Sequence, residues 1–247
     1  MSALPVLLLQ LGEAVPLLQR AHGKYVDWFR HAWGGDLAVV DGRNGEPLPA
    51  CTDFAGVLIS GSASSLVTPE PWMERAADFV RAAHENSVPT LGICFGHQLI
   101  GHALGAKVIA NPRGWEIGTQ HVDLSADGKR DPLFTDLPAR IAVNLSHADV
   151  IEWPTTPTSE TTKTNGTGAL RVLAYNAKTD VQAFAAGDTM RGIQFHPEFS
   201  GAVCRGYIDA RRPQLDGQDV QALLADTRDA PDAVAVLLNF RRHFVEA

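Results

Sequence analysis

Cys94 lies between two glycines in Thr90-Leu91-Gly92-Ile93-Cys94-Phe95-Gly96-His97-Gln98, where a strand-like apolar run gives way to a helical one. G-x-C-x-G in that setting is the cysteine form of a nucleophile elbow. So sharp a turn strains the central residue and leaves no room for side chains at Gly92 and Gly96. Cys94 then projects from the turn, its sulfur close to the unpaired N–H groups that open the next helix and favour a thiolate. An isolated cysteine reads more simply as a small buried hydrophobe. The paired glycines and the strand-to-helix switch favour the nucleophile instead. Cys51 and Cys204 lack such surroundings and read as packing or incidental residues.

A nucleophilic thiol needs a base, and the base needs a group that orients it. Gly192-Ile193-Gln194-Phe195-His196-Pro197-Glu198 offers both. On an extended segment His196 and Glu198 point to the same side while Pro197 faces away. Proline suits a strand end, which places the pair at the rim of the sheet where the elbow opens and where parallel α/β sheets bind ligands. A His-Pro-Glu tripeptide alone is a weak signal; with the cysteine elbow it becomes a specific one. His97 and His102, five apart on a helix, do not face one another and make a poor metal pair.

These groups need a sheet to hold them. The first half alternates short apolar runs (Pro5 to Leu11, Leu37 to Val40, Gly56 to Ser60, Val88 to Ile93) with helical patterns at Pro71 to Asn86 and Phe95 to Leu104, as parallel strands with crossover helices do. The second half carries short, partly alternating runs: Ile117 to Leu124, Arg140 to Leu145, Arg171 to Tyr175, Val181 to Ala185 and Met190 to Phe195. These suggest hairpins whose antiparallel strands extend the sheet. Val220 to Val245 reads as helical, interrupted near Pro231, and the Thr-rich run between Pro154 and Gly168 reads as a mobile surface loop.

With 247 residues, 45% hydrophobic and 20% charged, the chain has material for one sizeable core, and a single domain over 1–247 is expected, with a core of about 5–200 and a helical extension over 201–247. A net charge of −7 argues against nucleic acid as a partner. No apolar run approaches a bilayer span and no signal peptide is recognisable, so a cytoplasmic location without membrane attachment is expected. Three cysteines without metal-type spacing make a disulfide scaffold or metal site unexpected.

Together these segments resemble the class I glutamine amidotransferase family, with its G-x-C-x-G-x-Q elbow and distant H-P-E segment, over about Phe54 to Phe199. Nearest in appearance are free-standing relatives of the GMP synthase glutaminase domain. Leu145-Ser146-His147-Ala148-Asp149-Val150 is similar to their S-H-G-D-x-V segment, with alanine for glycine at 148, and Asn111 to Gly118 is similar to the segment after the elbow helix. The resemblance implies a flavodoxin-like three-layer α/β sandwich with a mostly parallel central sheet and an antiparallel extension. It implies that Cys94 attacks the side-chain amide of glutamine to form a γ-glutamyl thioester, with His196 as acid and then base and Glu198 orienting it. One oxyanion donor would be the Phe95 N–H and another would come from Gly61 or Ser62, where many members have G-G-P and this chain has Gly61-Ser62-Ala63; the same residues could merely end a strand. Gln98, Ser146 and His147 would border the substrate. No cofactor or metal is implied. The partners implied are glutamine or a γ-glutamyl compound as substrate and a separate synthase subunit, since no ATP-pyrophosphatase motif follows Phe199. A free-standing γ-glutamyl hydrolase or peptidase with the same triad, and a catalytically silent regulatory module, are the rival readings. The protease-like branch of the superfamily, which carries histidine after the elbow cysteine, fits less well with Phe95 in that place.

Overall fold

A computed structural model describes residues 4–152 and 170–246. The Thr-rich run expected to form a surface loop lies outside the described residues. In chain order the elements are β1 (Val6–Gln10), α1 (Pro16–His22), α2 (Tyr25–Trp33), β2 (Ala38–Asp41), β3 (Gly56–Ile59), α3 (Pro71–Glu85), β4 (Thr90–Ile93), α4 (Phe95–Ala103) and β5 (Lys107–Ala110). There follow β6 (Glu116–Leu124), β7 (Arg140–His147), β8 (Asp149–Glu152), β9 (Arg171–Tyr175), β10 (Ala183–Ala186), β11 (Met190–Ile193), α5 (Gly201–Arg211), α6 (Val220–Asp226) and α7 (Pro231–Phe240).

Nine strands form one sheet in the order β2-β1-β3-β4-β11-β10-β9-β6-β7, and β5 pairs with β8 in a small ribbon. From β2 to β11 neighbours run parallel. From β11 to β7 they run antiparallel. The result is the flavodoxin-like α/β sandwich with its antiparallel extension.

Why the first strands carry unbroken apolar runs follows from the period of a strand: alternate side chains face opposite layers, and here both layers are covered. Leu7 and Leu9 join the cluster formed with Trp72, Ala76, Val80, Leu99 and Ile100 of α3 and α4. Leu8 points the other way, into the cluster with Phe29 of α2, Val203 and Ile208 of α5, and Val236 and Leu237 of α7. The C-terminal helices thus cover one face of the sheet.

The structure keeps the expected hairpin strand and the interruption near Pro231, and it adds elements. Met190–Ile193 forms the expected hairpin with β10 and also pairs parallel with β4, where it joins the parallel half of the sheet to the antiparallel one. Helices α1, α2 and α5 and the β5–β8 ribbon were not anticipated. The C-terminal helical run breaks at 227–230, where Pro231 takes the first helical position of α7, as the fixed φ of proline favours. Among the described residues no helix is long and apolar enough to cross a membrane.

Candidate active site

Parallel strands present their carboxyl ends along one rim, and the order β2-β1-β3 reverses the winding direction at β1, which opens a crevice there. A cleft of about 460 Å³ occupies it, walled by Glu13 to Pro16 from beyond β1, Gly61 to Ala63 from beyond β3, Cys94 from beyond β4 and His196 from beyond β11. Gln19, Tyr25, Ser146, Phe199, Tyr207 and Arg211 complete the wall.

Cys94 caps α4 with φ 53° and ψ −102°, a left-handed backbone conformation strained for a side chain other than glycine. The flanking glycines make the turn possible: a Cβ on Gly92 would run into the Gly96 carbonyl, and one on Gly96 into the Ile59 carbonyl. The Cys94 N–H donates to the Ile193 carbonyl at 2.9 Å, which ties the elbow to β11. The thiol is buried yet borders the cleft, with the Ser146 carbonyl 3.9 Å away.

His196 does not sit on the extended segment expected of it. β11 ends at Ile193, and His196 to Phe199 form a turn closed by the Phe199 N–H donating to the His196 carbonyl at 3.3 Å. Proline favours the second position of such a turn, which is where Pro197 stands. The turn still brings Nδ1 of His196 to 2.7 Å from Oε1 of Glu198. Strand β7 grips it at both ends: the His196 N–H donates to the Asn144 carbonyl at 2.9 Å, and the Asn144 amide donates to the Phe199 carbonyl at 3.1 Å. Phe199 stacks on the imidazole at 4.0 Å and on Tyr207 at 4.8 Å, fixing the plane of the ring. Nε2 of His196 has no hydrogen-bond partner among the described residues. Burial would strip the imidazole of its proton, but the charges of Glu198 and Cys94 outweigh that and raise its pKa to about 10.

Tyr25, at the start of α2, donates its hydroxyl to Oε1 of Glu198 at 3.3 Å. Burial, then the nearby Glu198 charge, drives the phenol well above its ordinary pKa, so it stays a donor. Two charged groups stand further out in the same cleft, Glu13 and Arg211. The Arg211 guanidinium lies over the Trp115 ring at 5.4 Å, with its buried Nε unpartnered among the described residues.

Of the residues singled out from sequence, Cys94, His196, Gly61, Ser62 and Ser146 meet at the cleft, and Glu198 stands behind His196. Phe95 packs its ring on Trp72 at 5.6 Å, while its N–H belongs to the first turn of α4, where backbone donors have no partner within the helix. The N–H groups of Gly61 and Ser62 are likewise unengaged among the described residues. Gln98 and His147 are not brought to the cleft wall. The Gln98 amide donates to the Asp149 carbonyl at 2.8 Å and to Oε1 of Gln194 at 3.1 Å. His147 is turned toward Glu116, 3.2 Å from Nε2, and its Nδ1 lies 3.1 Å from the Asp149 carbonyl. Tyr25, Asn144, Tyr207, Glu13 and Arg211 escaped notice because they share no motif with the elbow; Tyr25 and Arg211 lie on helices that local patterning did not reveal.

The model of the class-I glutamine amidotransferase family matches residues 41–206. Gamma-glutamyl peptidase 5 of Arabidopsis thaliana is 26% identical over 204 residues, covering 78% of this chain and 74% of that relative. The glutamine-hydrolyzing GMP synthase of Thermomicrobium roseum is 36% identical over 143 residues, 58% of this chain but 23% of that much longer protein. In fold, a glutamine amidotransferase from Thermotoga maritima superposes with a TM-score of 0.72 at 21% identity, covering 100% of both chains. One from Methylobacillus flagellatus gives 0.75 at 20% identity, covering 98% of this chain and 95% of that one. With more than half of its residues matched by the family model, the chain belongs to the class-I glutamine amidotransferase family.

Proposed function

We propose that the chain hydrolyses a γ-glutamyl amide through a thioester on Cys94, with glutamine as the smallest substrate and γ-glutamyl peptides as larger ones. One observation carries this reading: the Cys94 thiol and the unpartnered Nε2 of His196 border the same cleft, with Glu198 bonded to the opposite ring nitrogen. A thiolate on Cys94 adds to the amide carbon, and the oxyanion meets the Phe95 N–H and one N–H of the Gly61–Ser62 turn. Collapse of the tetrahedral species breaks the C–N bond as His196 gives its proton to the departing amine.

The raised pKa of His196 suits that first step, because the ring enters it charged. Acylation then removes the negative sulfur, one of the two charges that hold the proton. The imidazole becomes a better base when water must be activated to release glutamate and free the thiol. Glu198 keeps Nδ1–H pointed away from the cleft.

The charged groups of the outer cleft support an amino-acid substrate. Arg211 suits the α-carboxylate and Glu13 the α-ammonium of a glutamyl zwitterion. A cleft of about 460 Å³ also leaves space beyond the scissile bond for more than ammonia, and the long match to a γ-glutamyl peptidase points the same way. The alternative, a glutaminase that feeds ammonia to a separate synthase, is favoured by the matches to GMP synthases, in which this chain covers about a quarter of the protein.

Glutamate release from glutamine and from γ-glutamyl dipeptides should be measured for the purified protein and for Cys94→Ala. We expect hydrolysis that falls by about 10³-fold or more in the variant, as for removal of a nucleophile elsewhere. Faster turnover of the dipeptides identifies the peptidase. Glutamine hydrolysis that rises only when a synthase is added identifies the amidotransferase subunit. Equal background in both proteins on every substrate overturns the proposal and leaves a regulatory module.

A further inference from the structure

Glu198 is held by fewer groups than a buried carboxylate normally requires. Its Oε1 accepts from Nδ1 of His196 and from the Tyr25 hydroxyl, while its buried Oε2 has no partner among the described residues. An ionised carboxylate in a dry site is costly unless donors compensate it. Tyr25 is therefore the sole donor besides His196 among the described residues, and it comes from α2, far from the elbow in sequence.

We propose that Tyr25 is a positioning residue for the reaction: its hydroxyl holds Glu198 charged and aimed at Nδ1 of His196, so that Nε2 faces Cys94. The proposal rests on the amidase reading above and assigns a role to a residue outside the triad and its motifs. Three features fit it. The Tyr25 ring is wedged edge-on against Trp28 at 5.6 Å and Phe29 at 5.2 Å, so the hydroxyl has little freedom to swing away. Its oxygen borders the turn beyond β3 as well, since a Cβ on Gly61 would lie 3.0 Å from it and 3.1 Å from Cε1 of His196. The absence of a side chain at residue 61 lets tyrosine, imidazole and thiol converge. Finally, burial and the Glu198 charge keep the phenol protonated across the working pH range.

Tyr25→Phe tests this cleanly, because the ring and its aromatic contacts remain and only the donor is lost. A charge-assisted hydrogen bond of ordinary strength predicts a fall in kcat of about tenfold, with KM changed less than twofold. Without the donor Glu198 is held less firmly against Nδ1 and supports the His196 imidazolium less, so the alkaline limb of the kcat/KM profile should move to lower pH. In a Glu198→Gln background the same change should cost little, because Tyr25 acts through that carboxylate. The pH profile of iodoacetamide alkylation at Cys94, with Cys94→Ala as blank, reads the same coupling without a substrate. A shift of that profile in Tyr25→Phe supports the role even if the amidase reading fails on every substrate tried. Superimposable alkylation and kinetic profiles for wild type and Tyr25→Phe would overturn it, as would a rise in KM alone, which would make Tyr25 a substrate contact. Full additivity with Glu198→Gln would also overturn it, leaving a packing role.

Discussion

His97 and His196 are both buried on the rim where β4 and β11 end, yet the fold treats their protons in opposite ways. His97, on the α4 side, lies tilted against Phe184 at 4.9 Å, and neither ring nitrogen has a hydrogen-bond partner among the described residues. Burial lowers its pKa to about 3, so it is a neutral packing group that happens to be an imidazole. His196, on the α5 side, is desolvated as thoroughly but has Glu198 at 2.7 Å and the Cys94 thiol in front of it, and its pKa rises to about 10. Desolvation sets the baseline for both rings, and the charges of Glu198 and Cys94 reverse it at His196. Two adjacent sites of one fold thus differ in charge, with burial held nearly constant.

The comparison breaks most severely at Glu198. Glu198→Gln leaves the shape of the turn but removes the charge, so His196 should drift toward the behaviour of His97 and lose its proton well below pH 10. Amide hydrolysis should fall by about 10³-fold or more, the scale of losing the orienting acid in an acyl-transfer triad. Steady-state kinetics and an NMR titration of the His196 Cε1–H check the two halves of this expectation. A ring that still titrates high would mean that Cys94 alone holds the proton.

Stability against pH sharpens the same contrast, at smaller scale. The pKa of His97 is lower in the folded state than in the unfolded chain, so the unfolded chain binds the extra proton between about pH 6.5 and 3, and stability falls as pH drops through that window. The pKa of His196 is higher, so its contribution is complete below pH 6.5 and is lost as pH rises toward 10. Replacing His97 by leucine should remove the acid-side loss alone. Urea unfolding at pH 7 and pH 4.5 should show the variant gaining on wild type by on the order of 1–3 kcal/mol between the two conditions. A constant difference would show that His97 is protonated inside the protein.

The same division explains what the sequence disclosed. Cys94, His196 and Glu198 were legible because the elbow is a local device: Gly92 and Gly96 stand two residues away and betray the turn on sight. The parallel strands were legible because both faces of β1, β3 and β4 are buried, which writes an unbroken apolar run. Tyr25 and Arg211 could not be read this way, because what makes them cleft residues is the packing of α2 and α5 against the sheet, a relation with no signature in neighbouring residues. Gln98 shows the opposite error. Helical spacing places it near Cys94, but its amide is drawn away by the Asp149 carbonyl and Gln194, neither of which is near it in sequence. Met190–Ile193 reads as a hairpin strand because it follows β10 closely, and it is one; its other partner, β4, is remote along the chain and leaves no local sign.

The three cysteines repeat the histidine contrast with the smallest expected effect. Cys204 is buried among apolar groups, its Sγ 3.9 Å from the Leu145 carbonyl, and burial pushes its thiol up to about 12. Cys51 is also raised, chiefly by burial. Neither borders the cleft. Native protein treated briefly with iodoacetamide at pH 7.5 should therefore take up one equivalent, and peptide mapping should place it on Cys94. Cys204→Ala should leave both labelling and hydrolysis at wild-type levels and cost about 1–2 kcal/mol of stability, the price of a small cavity. Labelling at Cys204 in the folded protein would mean that the α5 face opens on the timescale of the reaction, and burial could no longer be held constant in the comparison.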